Sequence, residues 1–195
     1  MSAGQAATLL GAAVLVFWMV GAYNRLVRLR NGIGAAWAQF DGQLQRRAQA
    51  LPALLGALRE PMAAERPTLE SVDAAQQQVQ AAADALRAAP VRVDAATALV
   101  GAVAQLDSTL ARLLALLDQR PELRAEPAVA TGLSELHDVD QRLAFARRLF
   151  NEAVQVYNAA ARQFPTRLLT RLYGFGTAGR LCICPTHRGE PSRPV

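Results

Sequence analysis

The chain opens with an apolar stretch and then changes to a helical repeat of apolar and polar positions. Residues 1–24 carry no charged side chain, and residues 6–22 are apolar except for Thr8. About 20 apolar residues of helix cross a bilayer core about 30 Å thick, so the stretch is long enough to span a membrane. We therefore predict a single transmembrane helix over residues 3–23.

Beyond this span, apolar residues recur at intervals of three and four, which is the spacing of one helix face. Prolines at 61, 67, 90, 121, 127 and 165 divide the repeat, and Pro52 is a candidate kink inside the first helix. The pattern predicts four long helices, which run from the span to Leu58, from Thr68 to Ala89, from Asp94 as N-cap to Leu117, and from Leu136 to Phe164. A short turn between Pro121 and Pro127 and a short helix over residues 166–173 are also expected.

The fourth helix has the most regular pattern. Large apolar residues and small or branched ones form two rows with a spacing of seven, namely Leu136, Leu143, Phe150, Tyr157 and Phe164, and Val139, Ala146, Ala153 and Ala160. A strict seven-residue repeat favours coiled-coil-like packing at about 20°. We expect an all-α fold, in which the single N-terminal transmembrane helix runs into a long antiparallel four-helix bundle over residues 24–173. Glycines and prolines then predict a flexible tail over residues 174–195.

Charge supports membrane attachment more than nucleic-acid binding. The net charge is +5, but the basic residues, all arginines, are spread along the chain among acidic ones. Arg25, Arg28 and Arg30 follow the span directly, and arginines are enriched on the cytoplasmic flank of a span. We therefore expect an inner (plasma) membrane protein with its N-terminus outside and its bundle in the cytoplasm. The alternative is a signal peptide cleaved after Val20-Gly21-Ala22.

Two groups of residues resemble metal sites, and we favour a simpler interpretation of each. His137 lies among Glu135, Asp138 and Asp140, but adjacent acids do not share a helix face and are favoured at a helix start. Cys182, Cys184 and His187 supply only three ligands at an unusual spacing, whereas structural zinc takes four. Motifs of phosphate loops, serine hydrolases and zinc proteases are lacking. We predict no catalytic, cofactor or metal site.

Polar residues also lie on or beside the stripes of the first and last helices: Asn24, Asn31, Asp41, Arg46, Arg47, Arg147, Arg148, Asn151 and Asn158. We expect a structural role, in which Asp41 pairs with an arginine of the last helix and the asparagines fix the register. The alternative is a polar groove that receives a partner.

Two blocks of the sequence resemble the LemA family. The first is Tyr23 to Asn31, followed by Trp37, Asp41, Gln43-Leu44, Arg46-Arg47 and Pro52, and the second is Arg147 to Asn158, followed by Phe164-Pro165 and Gly174-Phe175. Leu106 to Leu117 and Pro121-Glu122-Leu123 resemble the family's middle helix and turn. The proline-rich segment 59–67 and the tail after Phe175 depart from the family pattern.

The resemblance implies a membrane-anchored four-helix bundle without an established activity, cofactor or catalytic residue, in a family associated with envelope stress and membrane organisation. We accordingly expect a non-enzymatic scaffold that binds the bilayer and either protein partners or itself, and no nucleic acid. One alternative is an anionic-lipid-binding or membrane-shaping protein, acting through Arg25, Arg28, Arg30 and the segment 162–171. A concealed hydrolase is a further alternative.

Overall fold

The computed structural model describes residues 3–163 and 178–181, and its regular elements are all helical. The helices are α1 (Ala3–Leu58), α2 (Arg66–Ala88), α3 (Val93–Asp118), α4 (Pro121–Arg124) and α5 (Pro127–Arg162), with a 3₁₀ turn at Ala63–Glu65 before α2. The expected all-α architecture is confirmed. The predicted helix over residues 166–173 lies outside the described part of the chain.

The four long helices pack as two antiparallel pairs, α1 with α5 and α2 with α3. Along the first pair, Leu54 lies against Gly132, Arg47 against Asp140 and Trp37 against Phe150, so residue numbers fall on one helix as they rise on the other. Helix α2 also contacts α1, while the short α4 connects α3 to α5. This arrangement places one buried seam from each long helix in a common core.

Helix α1 has two parts with different surroundings, although it is continuous over 56 residues. Its large apolar side chains from Leu9 to Val20 are exposed, whereas Leu26 is the first that is fully buried. From Ile33 to Leu58 the helix contributes its predicted apolar face to the core. The prediction that the first helix continues from the apolar stretch into the bundle is therefore confirmed.

The core is built mainly from leucine and alanine on the predicted seams. In α3 six apolar residues are spaced alternately four and three apart, and all are buried: Leu99, Val103, Leu106, Leu110, Leu113 and Leu117. In α5 the large members Leu136, Leu143, Phe150 and Tyr157 are buried. Of the second row, Ala146 and Ala160 are buried, whereas Val139 and Ala153 are partly exposed. Alternating large and small side chains let neighbouring helices interdigitate.

Three helix starts differ from the predicted ones, although α2 begins at Arg66, only two residues before Thr68. Helix α5 begins at Pro127, about two and a half turns before Leu136, because proline is well suited to the first position of a helix. Helix α3 begins at Val93 with Arg92 as its N-cap, so Asp94 lies inside the first turn instead of capping it. There the Asp94 carboxylate accepts hydrogen bonds from the Arg92 guanidinium, and this contact lowers the pKa of Asp94.

Candidate functional site

A buried arginine joins three helices near the middle of the bundle. Arg47 of α1 has only 3% of its side chain exposed, and its Nη2 donates a 2.7 Å hydrogen bond to Asp107 Oδ1 of α3. On its other side, Arg47 Nε lies 3.1 Å from Asp140 Oδ1 of α5. Arg47 Nε and Asp140 Oδ1 are both buried, but the N–H does not point at the oxygen well enough to form a hydrogen bond. This second contact is therefore an ion pair only. The two aspartates are each about half exposed and remain partly solvated.

The electrostatics of this cluster are those of a partly buried charge pair. Burial raises the pKa of Asp140, the Arg47 charge opposes that rise, and the nearby Asp107 carboxylate adds to it. A cavity of about 330 Å³ lies beside the cluster, between α3 and α5. Its walls are mostly leucine, valine and alanine, with Arg47, Asp107, Asp140 and Arg147 as its charged members. The cluster joins helices and gives the cavity a polar end, and it contains no serine, cysteine or histidine nucleophile.

A second charged pair holds α1 to α2. Asp41 is 8% exposed, and its two carboxylate oxygens accept hydrogen bonds of 2.7 and 3.1 Å from Nη2 and Nε of Arg87. Gln45 donates to the same carboxylate at 3.0 Å, and Arg87 also contacts Asp84. The expectation that Asp41 pairs with an arginine of the last helix is therefore wrong. The partner belongs to α2, because Asp41 lies on the side of α1 that faces α2.

Two asparagines of α5 hold a short segment of the C-terminal region. Asn158 donates from Nδ2 to the Ala178 carbonyl at 3.0 Å, and its Oδ1 accepts from the Ala178 N–H at 2.9 Å. Asn151 makes the same two contacts with Leu181, at 3.0 and 2.7 Å. We call these two side chains the amide ladder. Each of them pairs with both polar groups of one backbone residue, as a neighbouring β-strand would.

The segment from Ala178 to Leu181 is packed as well as hydrogen-bonded. Ala178 and Leu181 are 5% and 2% exposed, and Leu181 lines the cavity described above. The Gly179 N–H donates to the Val91 carbonyl at 3.3 Å, just before α3. At these four positions the chain differs from the expected flexible tail, because the amide ladder and the start of α3 fix its backbone. The asparagines were predicted to fix helix register, but they bind this backbone instead.

The acidic group around His137 remains spread out on α5. Glu135, His137 and Asp138 are exposed, and His137 contacts Gln141, whereas Asp140 is the partner of Arg47. These residues lie two to four turns inside α5, so their assignment to a helix start was wrong. Within the part of the chain that the structure describes, no three His, Cys, Asp or Glu side chains form a group that could hold a metal. Cys182, Cys184 and His187 lie outside it.

Aromatic residues with the predicted spacing pack in the bundle. The Trp37 and Phe40 rings have centroids 5.8 Å apart, and Trp37 meets Phe150 edge-on at 6.1 Å. Tyr157 is buried, and burial raises its pKa. Phe164 lies outside the described residues. The Trp37–Phe150 contact joins α1 to α5, whereas Trp37 and Phe40 are neighbours on α1.

Among the residues that the structure describes, two helices are long and apolar enough to cross a membrane. One is the N-terminal part of α1, which is almost entirely unpacked, and the other is α3, whose apolar seam is in the bundle core. At the end of the unpacked stretch, Arg25, Arg28 and Arg30 are all exposed. The surroundings of these two helices make α1 the better candidate for a span.

A sequence model of the LemA family matches residues 36–191. The chain belongs to the LemA family. The match contains α1 from residue 36 onward, α2 to α5, and the amide ladder with its bound segment, while the Tyr23 to Asn31 block precedes it. It begins at residue 36 and continues beyond residue 173. No curated protein matches the chain in sequence.

Proposed function

We propose that this LemA family member is a non-enzymatic, single-pass membrane scaffold that binds other proteins or itself at the cytoplasmic face, in envelope stress or membrane organisation. The observation that carries the proposal is the continuity of α1 from an unpacked apolar stretch into the bundle core. The same helix would both anchor the protein and organise its folded part.

The surroundings of residues 9–20 support the anchor. Leu10, Leu15 and Phe17 are 70%, 61% and 80% exposed, and the other large apolar side chains of this stretch are exposed as well. A helix that is apolar on all sides is stable when apolar material surrounds it. The bundle does not cover this part of α1, so a bilayer is the surrounding that fits its length and composition.

The exposed arginines after this stretch support an orientation with the bundle in the cytoplasm. Arg25, Arg28 and Arg30 would lie at the headgroups of the cytoplasmic leaflet. Reporter fusions after Gln119 and after Val195 test this orientation. We expect green fluorescent protein to fluoresce and alkaline phosphatase to be inactive at both positions, and phosphatase activity at either would contradict it.

The non-enzymatic part of the proposal is supported by the way the bundle uses its buried charged groups. Arg47 and Asp41, the two buried charged residues among those described, both connect one helix to another. In-cell crosslinking followed by mass spectrometry tests the scaffold role, with a matched control in which an unrelated apolar span anchors a different helical bundle. We expect specific protein adducts, or adducts between copies, on the bundle surface. Recovery of the monomer alone would contradict the proposal.

Binding of anionic lipid is a second candidate function, supported by the three exposed arginines at the end of the apolar stretch. Each basic residue near an anionic surface contributes about 1 kcal/mol of attraction. Replacing Arg25, Arg28 and Arg30 by glutamine should lower the fraction of anionic lipid that copurifies with the full chain. The matched control replaces Arg46, Arg112 and Arg142, which are exposed on the bundle. Equal lipid content in both variants would exclude this function.

A further inference from the structure

The amide ladder matches the repeat of an extended polypeptide. Asn151 and Asn158 are seven residues apart on α5, which corresponds to a rise of about 10.5 Å along the helix. Their partners Ala178 and Leu181 are three residues apart, and an extended chain covers about 10 Å in three residues. The segment must therefore be nearly fully extended, and it runs antiparallel to α5.

The amide ladder contacts only main-chain groups of the segment, so these contacts do not depend on the side chains that the segment carries. All four of its hydrogen bonds join a side-chain amide to a main-chain N–H or carbonyl. The Val91 carbonyl adds a fifth contact, to the N–H of Gly179. A groove that pairs with backbone in this manner binds an extended peptide, as an open sheet edge does.

Three positions of the bound segment, Ala178, Gly179 and Leu181, carry the side-chain specificity. A Cβ atom on Gly179 would lie 2.7 Å from Val93 Cα and 2.8 Å from Ala96 Cβ, so only glycine fits beside the start of α3. Leu181 is 2% exposed and enters the wall of the cavity. Ala178 is buried, whereas Arg180 is exposed and contacts Gln155 at the surface. The groove therefore fits a segment of the form small–Gly–any–aliphatic.

The connection between α5 and this segment is much longer than the path it must cover. Ala178 is paired with Asn158, about one turn before the end of α5, and residues 164–177 connect the two. At about 3.3 Å per residue this connection can reach about 45 Å. Its length therefore permits the segment to reach the groove of a neighbouring molecule.

We propose that the amide ladder is a peptide-binding site, and that its ligand can be residues 178–181 of a second copy. In this exchange, the segment of the second copy takes the place of the same segment of the chain that carries the ladder. The proposal rests on the membrane anchoring proposed above. Exchange preserves every contact of the segment, which is the condition under which domain swapping costs little. Copies confined to one membrane also meet at a high effective concentration, so exchange should increase with their surface density.

A mixture of two complementary variants tests the exchange. The groove variant is Asn151→Ala/Asn158→Ala, which keeps the segment but loses the ladder. The segment variant is Gly179→Val, which keeps the ladder but cannot seat its own segment. Both are full-length chains with different tags, reconstituted together in vesicles, and the groove variant carries a photoreactive group at position 181.

We expect light-induced crosslinks from position 181 of the groove variant to α3 or α5 of the segment variant, and at least about tenfold fewer when both partners lack the ladder. The tenfold figure corresponds to about 1.4 kcal/mol, a modest share of four hydrogen bonds. A peptide with the sequence of residues 176–181 should compete, whereas the same peptide with valine at position 179 should not. Gln155→Ala is the matched control, because it removes only the exposed contact to Arg180.

The absence of crosslinks between copies, with both variants helical and inserted in the vesicles, would overturn the exchange. Crosslinks that the peptide does not reduce would also overturn it, because they would arise outside the groove. Resistance to alkaline carbonate extraction reports anchoring separately. Loss of the chain from the vesicles would therefore count against the proposed function, while insertion without crosslinks counts only against the exchange.

Discussion

Arg47 Nε lies 3.1 Å from Asp140 Oδ1, which joins α1 to α5 at the level where Arg47 Nη2 also meets Asp107 of α3. The arginine is almost completely buried, whereas each carboxylate is about half exposed. The desolvation penalty therefore falls mainly on Arg47, and the two aspartates offset it.

Removal of both carboxylates should leave a buried charge without compensation. We expect Asp107→Asn/Asp140→Asn to lower the free energy of unfolding by about 3 kcal/mol. Urea unfolding of the full chain in detergent, followed by Trp37 fluorescence in a Trp18→Phe background, measures this loss. Asp138→Asn, at an exposed position of the same helix, is the control and should change stability by less than about 0.5 kcal/mol. A double variant as stable as the control would show that Arg47 does not depend on these carboxylates.

The raised pKa of Asp140 predicts a specific pH dependence. A carboxyl group with a higher pKa in the folded than in the unfolded chain binds its proton more tightly when folded. Its contribution to stability therefore falls as the pH rises from about 4, the ordinary value for aspartate, through the raised folded pKa. Unfolding curves of the wild type and of Asp140→Asn at several pH values isolate this contribution. The stability of the wild type relative to the variant should fall over that window, and a constant difference would contradict the prediction.

Two glycines should respond oppositely to substitution by alanine. A Cβ on Gly132 would lie 3.2 Å from both Cβ and Cδ1 of the buried Leu54, where α1 and α5 cross, so it should force the helices apart. We expect Gly132→Ala to destabilise the bundle by about 1–2 kcal/mol, since overpacking outweighs the gain in helix propensity. Gly101→Ala has open space around its new Cβ and should stabilise by up to about 1 kcal/mol. Thermal unfolding followed by circular dichroism compares the two, and stabilisation by both would contradict the predicted close contact.

Charges placed in the unpacked part of α1 should prevent membrane insertion. An arginine near the centre of a span costs about 2.5–3.5 kcal/mol, so we expect Leu15→Arg/Met19→Arg to move the protein out of the membrane fraction. Val93→Arg/Phe145→Arg is the matched control, because both side chains are exposed on the bundle. The control protein should remain in the membrane fraction after carbonate extraction. Retention of both variants would mean that something other than this stretch holds the protein there.

Periodicity predicted the helices well, because burial of one stripe per helix determines which residues are apolar. The six core residues of α3 and the large residues of α5 show this directly. The start of α5 was missed because residues 127–135 are mostly small, with Val129 and Leu133 as their only large apolar residues, although Pro127 is a recognised start signal.

Contacts between helices were harder to predict than the helices themselves. The partners Asp107, Asp140 and Arg87 depend on the order of the helices around the bundle, which periodicity does not report. Asn151 and Asn158 were noticed in the sequence as polar residues within a seam. Their backbone partners could not be predicted, because Ala178 and Leu181 lie beyond the end of the periodic pattern.

The continuity of α1 also has a mechanical consequence. About 32 residues separate Leu26 from Leu58, which makes a lever of about 48 Å that begins where the proposed span ends. Transmembrane helices adjust their tilt to the thickness of the bilayer. With no loop between anchor and core, a 10° change of tilt would carry the far end of the bundle sideways by about 8 Å. The distance of that end from neighbouring proteins would then depend on the thickness of the surrounding membrane.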